Sequence, residues 1–274
     1  MALNLLFLIG LVLVLALALQ PLLQSLRRAR LRRRPLPSAW RRILRRRVPL
    51  VARLPADQQL RLKGLMQVFL AEKPIIGCAG LVVSEEMRVV IAAQACLPLL
   101  GRTRGYYPKL AQVLLYPGAF MVERAAPLPG GVQQEQRRAL AGESWSLGQV
   151  ILSWQDVLDG AADARDGRNL VVHEFAHQLD QLTGQANGAP PLADRLAQRR
   201  WSRVMQTEFE HLRQTLAEGR RSLLDPYAAS EPAEFFAVAS EHYFEQGALL
   251  AQRHPQLYRE LAGFYGVNTA AWLP

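Results

Sequence analysis

Val171-Val172-His173-Glu174-Phe175-Ala176-His177-Gln178-Leu179-Asp180 is an apolar run that carries two histidines four residues apart. At helical pitch both imidazoles leave one face, a single turn from each other, and can share one metal ion. Glu174 sits beside the pair. Two neutral imidazoles suit Zn²⁺, and a carboxylate next to zinc-coordinated water can take its proton. The bland alternative is an amphipathic helix with two satisfied histidines. The flanking Leu170, Val171, Val172, Phe175, Ala176 and Leu179 weigh against it, because they predict burial, where an unpaired imidazole is costly.

Such a site needs a third protein ligand with an open position for water. The metzincin extension would place Gly and His where this chain has Asp180 and Thr183, so that class is excluded. The best downstream stretch is DPYAASEPAEFFAVASEHY, residues 225 to 243. Ser230 followed by Pro232 reads as a helix start, with Glu234 projecting among Phe235, Phe236 and Val238. A carboxylate in that setting needs a partner, which a metal or an ion pair would supply. Glu241, seven residues later, is the rival ligand or the acceptor of a histidine N–H, whereas His242 points elsewhere and is not expected to be a ligand. Asp180 and Asp225 are further candidates for orienting His173 or His177.

Residues 1 to 26 carry no charged side chain, and Ala2 to Leu19 is almost unbroken apolar sequence. That length predicts a transmembrane anchor, with a cleaved signal peptide as the competing reading. Residues 27 to 47 follow with eleven Arg and no acid, and they account for the whole of the chain's formal charge of +10, leaving the remainder near neutral. By the positive-inside rule this expects a single pass through a bacterial inner membrane with residues 48 to 274 on the cytoplasmic side; a cytoplasmic protein is the alternative. The arginine-rich segment would then meet an anionic membrane surface, and no nucleic-acid partner is expected. Cys78 and Cys96 lack metal spacing and read as buried thiols.

The rest reads as scaffold. A helix is expected from Leu54 until Lys73-Pro74 ends it, a short buried strand over Ile75 to Val83, and a helix capped by Ser84. Strands are expected at Leu110 to Tyr116, Ala119 to Val122 and Gln149 to Trp154, with a polar, Pro/Gly-rich stretch over residues 126 to 148. Val150 to Trp154 is either a strand that aligns a substrate backbone or a core strand. A charged helix spans about Asp194 to Gly219 with His211 on its solvated face, and a last helix spans His254 to Gly266. The fold class expected is α+β: a mostly helical, zincin-like metallopeptidase domain with a small mixed sheet, preceded by one transmembrane helix.

The motifs HEFAHQLD and DPYAASEPAEFFAVASEHYF, with the earlier VLLYPGAFMV and ILSWQDV, resemble the Mlc titration factor A family of bacterial zinc-dependent peptidases. The resemblance covers most of the chain from about Leu54 onward. It implies one Zn²⁺ held by His173, His177 and Glu234, Glu174 as catalytic base, Tyr227 as an assisting group, and a catalytic domain like that of anthrax lethal factor. It further implies a peptide or protein substrate and a transcriptional regulator as possible partner, and leaves aminopeptidase or endopeptidase open. The alternative function is a membrane-anchored regulatory binding protein whose zinc is structural and which sequesters a cytoplasmic partner.

Overall fold

The computed structural model describes residues 2–102, 106–118, 120–127, 133–140, 142–145 and 148–272. Helix α1 runs Ala2–Arg33, followed by α2 (Ser38–Arg47), the short α3 (Leu50–Arg53) and α4 (Ala56–Glu72). Helix α4 buries Leu62, Leu65, Met66 and Phe69, residues of one helical stripe, and ends where Lys73-Pro74 forbids another turn. Strand β1 (Ile75–Gly77) precedes α5 (Glu85–Ala95), whose start is set by the Ser84 hydroxyl accepting from Met87 N at 3.2 Å.

Strand β2 (Gln112–Tyr116), the hairpin β3 (Phe120–Pro127) and β4 (Gln133–Leu140), β5 (Gly142–Trp145) and β6 (Gln149–Ser153) come next. The sheet order is β1-β2-β6-β5, with β1 parallel to β2, β2 parallel to β6, and β5 antiparallel to β6. Val113 pairs with Ile75 on one side and Val150 on the other, so β2 and β6 are interior strands. Their alternate residues Val113, Leu115, Val150 and Leu152 are buried. The second half of the chain is helical: α6 (Trp154–Ala162), α7 (Leu170–Asp180), α8 (Arg195–Ala217), α9 (Pro232–Glu245), α10 (Gly247–Arg253) and α11 (Pro255–Tyr265).

Helices α7 and α9 are buried almost all round and pack on each other at the centre. Phe175 of α7 meets Phe69 and Tyr107 edge-on at 5.6 and 4.7 Å between ring centroids, and Phe236 of α9 meets Trp201 and Phe264 at 5.7 and 5.8 Å. Aromatic pairs in this geometry add to the burial of their own area. The helix carrying the two histidines is thereby fixed by the core rather than by a surface loop.

Several expectations are corrected here. No helix is long and apolar enough to cross a membrane among the described residues, so the transmembrane helix expected at residues 1 to 26 is overturned, and the single-pass inner-membrane placement falls with it. Just past that stretch the same helix continues into the domain, and its carboxyl-terminal end packs on α4. Arg28 donates through Nε and Nη2 to the two carboxylate oxygens of Glu72 on α4, each at 2.8 Å, and Arg32 lies against Gly64 of the same helix. The arginine-rich stretch is likewise partly engaged within the chain. Arg46 and Arg47 both pair with Glu86, and Trp40 donates to Glu85, so α2 is pinned to the start of α5.

Three further differences concern local elements. The strand expected over Ile75 to Val83 stops at Gly77, because Ala79 and Gly80 take positive φ and turn the chain away. The polar stretch over residues 126 to 148 contains strands β4 and β5 and the end of β3; Ala119, Leu128 to Val132, Ala141, Ser146 and Leu147 lie outside the described residues. Val150 to Ser153 belongs to an interior strand with neighbours on both sides, so no free edge is left there for a substrate backbone.

Candidate metal centre

Asn169 begins the site. Its side-chain oxygen accepts from Val172 N at 3.0 Å and caps α7, which fixes the turn on which His173 and His177 stand. From α9, Glu234 in the first turn and Glu241 two turns on face α7. Pro232 at the first turn presets the backbone there, and Glu231 rather than Ser230 occupies the capping position. Ser230 instead donates its hydroxyl proton to Tyr227 O at 2.7 Å.

The two helices bring His173, His177 and Glu234 together, with one ligand atom of each lying within 4.8 Å of the others. His173 Nε2 is 2.9 Å from Glu234 Oε2, and His177 Nε2 is 3.4 Å from Glu234 Oε1. On its far side His173 Nδ1 is 2.8 Å from Glu241 Oε1. A carboxylate can only accept, so this contact assigns the proton to Nδ1 and leaves Nε2 of a neutral ring with a lone pair aimed at Glu234. Two acceptors at that distance repel unless a cation lies between them. A proton is one such cation: burial alone would lower His173, yet Glu234 and Glu241 outweigh it and hold the ring well above the ordinary imidazole value. A divalent ion is the other, and the donor set of two imidazole nitrogens and one carboxylate is that of a catalytic zinc site.

Burial works against ionisation of Glu234, but the His173 and His177 rings hold its carboxyl well below the usual carboxylate range. Glu174 lies on the same helix as the histidines, buried, with Oε2 unpartnered. Burial pushes its carboxyl up to about 7 against the opposing influence of both histidines. A carboxylate titrating near neutrality can both accept and return a proton. Tyr227 stands at the mouth of the site, 53 % exposed, its ring 6.3 Å from that of His173 and tilted by 33°. Loss of water on its inward side, together with the carboxylates of Glu234, Glu174 and Glu231, pushes the phenol up to about 12, so its proton stays in place at neutral pH.

The polar network behind His173 extends further than the sequence reading reached. Glu241 Oε2 also accepts from Asn169 N at 2.5 Å, and Asn169 Nδ2 donates to Glu245 Oε1 at 2.9 Å. The available signals were an amide at a helix start and an acid one turn beyond Glu241 on a buried helix. Asp225 turns away from both histidines: it accepts from Arg168 at 3.0 Å and from Tyr227 N at 2.9 Å. Asp180 accepts from Asn187 N and Gly188 N at 2.8 and 2.7 Å, holding the loop after α7, while its Oδ1 and His177 Nδ1 are both buried without a partner among the described residues.

Comparison with known proteins accounts for this pairing of motifs. The glucose-regulated metallo-peptidase M90 family matches residues 23–266. An uncharacterized protein of Synechocystis is 41 % identical over 240 residues, covering 87 % of each chain. Mlc titration factor A of Cronobacter sakazakii is 35 % identical, with 85 % of this chain and 86 % of the relative covered; that of Escherichia fergusonii is 33 % identical, with 81 % and 83 % covered. The resemblance read from the motifs therefore holds across most of the sequence, and the chain belongs to the glucose-regulated metallo-peptidase M90 family.

Proposed function

We propose that the protein is a zinc-dependent peptidase in which His173, His177 and Glu234 would hold the ion, Glu174 is the general base and Tyr227 assists. The observation that carries this reading is the meeting of two Nε2 atoms and one carboxylate beside the buried Glu174, whose Oε2 has no partner among the described residues. The chemistry that zinc supplies in such a site is Lewis acidity, which lowers the pKa of a water molecule and polarises a carbonyl. Glu174 accepts the proton of the attacking water and returns it to the leaving amine as the peptide C–N bond breaks. Tyr227 keeps its proton and donates a hydrogen bond to the developing oxyanion. Glu241 fixes the tautomer and the plane of the His173 ring.

The test is hydrolysis of short chromogenic peptides by the purified chain, with metal analysis alongside. E174Q is expected to keep its zinc and lose about 10²- to 10⁴-fold in kcat, and a chelator is expected to abolish turnover of the parent chain. Full activity in E174Q removes Glu174 as the base. A second reading takes its support from the name Mlc titration factor A borne by the relatives: a protein that titrates a regulator and whose metal is structural. Zinc bound at one per chain without chelator-sensitive cleavage favours that reading.

A further inference from the structure

We propose that His242 is a positioning residue that ties the Tyr227 segment to the helix holding the metal-site carboxylates. The idea rests on the reading of Tyr227 given above, and its physical core is a contact that the proposed chemistry does not use. His242 follows Glu241 on α9 and is buried. Successive helical residues leave the axis about 100° apart, so Glu241 reaches His173 while His242 reaches a different neighbour. That neighbour is the carbonyl of Leu223, 2.9 Å from His242 Nε2. Nδ1 faces Val238 O of its own helix at 3.1 Å. Both neighbours are carbonyl oxygens, which only accept, so a neutral ring donates to one of them; the Leu223 contact, the shorter of the two and the one that joins distant parts of the chain, is assigned the N–H.

Leu223 opens the segment that presents the phenol. Leu224 is buried, Asp225 accepts from Tyr227 N, and Ala228 is buried, so Tyr227 projects from one turn, Pro226–Ala229, held at both shoulders. Gly167 closes the other side of the imidazole. Its φ is +77°, and a Cβ built there would lie 2.6 Å from His242 Nε2, so only a glycine lets the backbone lie so close to the ring. The next residue, Arg168, forms the second tie to the same segment through Asp225. One short stretch of α9 thus orients a candidate ligand with residue 241 and the assisting phenol with residue 242.

The experiment compares H242L and H242Q with the parent chain. Amide hydrogen exchange over residues 221 to 230 is expected to quicken about five- to tenfold in H242L, the loss of one buried hydrogen bond, with residues 170 to 180 unchanged. H242Q, whose amide can reach the same carbonyl, is expected to restore most of the protection. In peptide hydrolysis H242L lowers kcat about tenfold with KM within about twofold, and adds little further loss in a Y227F background. Unchanged exchange over residues 221 to 230 overturns the tie, as does a loss of kcat that is fully additive with Y227F. Should H242L not fold, G167A presses a methyl group against the ring and must quicken exchange in the same segment; unchanged exchange there overturns the tie as well. The exchange readout needs no turnover: faster exchange in a chain that hydrolyses nothing sinks the peptidase reading alone, and normal exchange in an active chain sinks the tie alone.

Discussion

Helices α1 and α9 invert each other. The first is apolar in sequence yet exposes Phe7 at 75 % and Leu22 at 56 %, while the second carries Glu241 at 8 % and Glu245 at 1 % exposure. Exposed apolar side chains are common on proteins, but buried carboxylates are rare and must be partnered. The informative helix is therefore the one whose charges went inside. On α9 each buried acid has a named partner in Asn169 or His173, and those partners lead straight to the candidate metal site. On α1 the Arg28–Glu72 pair belongs to the end that rests on α4.

The heaviest blow to this contrast falls on the packing of α9. Phe236→Ala removes a fully buried ring between Trp201 and Phe264 and is expected to destabilise the fold by about 3 to 5 kcal/mol, read from urea midpoints. A loss below about 1 kcal/mol would mean that α9 is not central. E241Q leaves the helix intact but weakens the acceptor behind His173. Its zinc affinity is expected to fall about 10- to 100-fold in competition with a chelator, and unaltered affinity would free His173 from that support.

Glu245 sharpens the comparison through pH. Burial raises its carboxyl from 4.5 to about 9 in the folded chain. Below pH 4.5 both folded and unfolded states hold the proton, and between there and about 9 only the folded state does, so the stability contributed by this group declines as pH rises through that window. E245Q lacks this slope and is expected to gain on the parent chain by up to about 1.4 kcal/mol per pH unit, on the order of 4 kcal/mol between pH 5 and pH 8. Parallel stability curves for the two chains would show that Glu245 ionises normally. The smallest effect is expected on the other helix: R28A breaks a partly exposed pair and is expected to cost about 1 kcal/mol or less, with peptide hydrolysis unchanged.

Legibility followed the range of the interactions. The helix carrying the two histidines, the helix capped by Ser84 and the helix bearing Glu234 are set by local periodicity and caps, and the sequence reading reached them. Helix α10, strand β4 and the far end of β3 escaped it; the start of β3 falls within the strand expected at Ala119 to Val122. The helix spans only Gly247–Arg253, too short for its periodicity to stand out, and the missed strand residues lie in a stretch whose composition reads as loop. The N-terminal segment misled for a related reason: apolar length counts residues, whereas the Arg28–Glu72 pair depends on a helix 44 positions away. Separations of 72 and 76 positions likewise hid the partners of Asn169, since nothing near it in sequence announces Glu241 or Glu245. His242 was set aside as a non-ligand, and its contact with Leu223 emerges only when α9 and the Tyr227 segment are seen side by side.

Asn169 uses its carbonyl oxygen on α7, its backbone N–H on Glu241 and its side-chain amide on Glu245, three bonds of fixed polarity from one residue. An aspartate at this position would turn the donor toward Glu245 into a third carboxylate crowded against two others, at a residue only 1 % exposed. A change from amide to acid, on a side chain outside the candidate ligand set, would thus loosen the histidine helix from within.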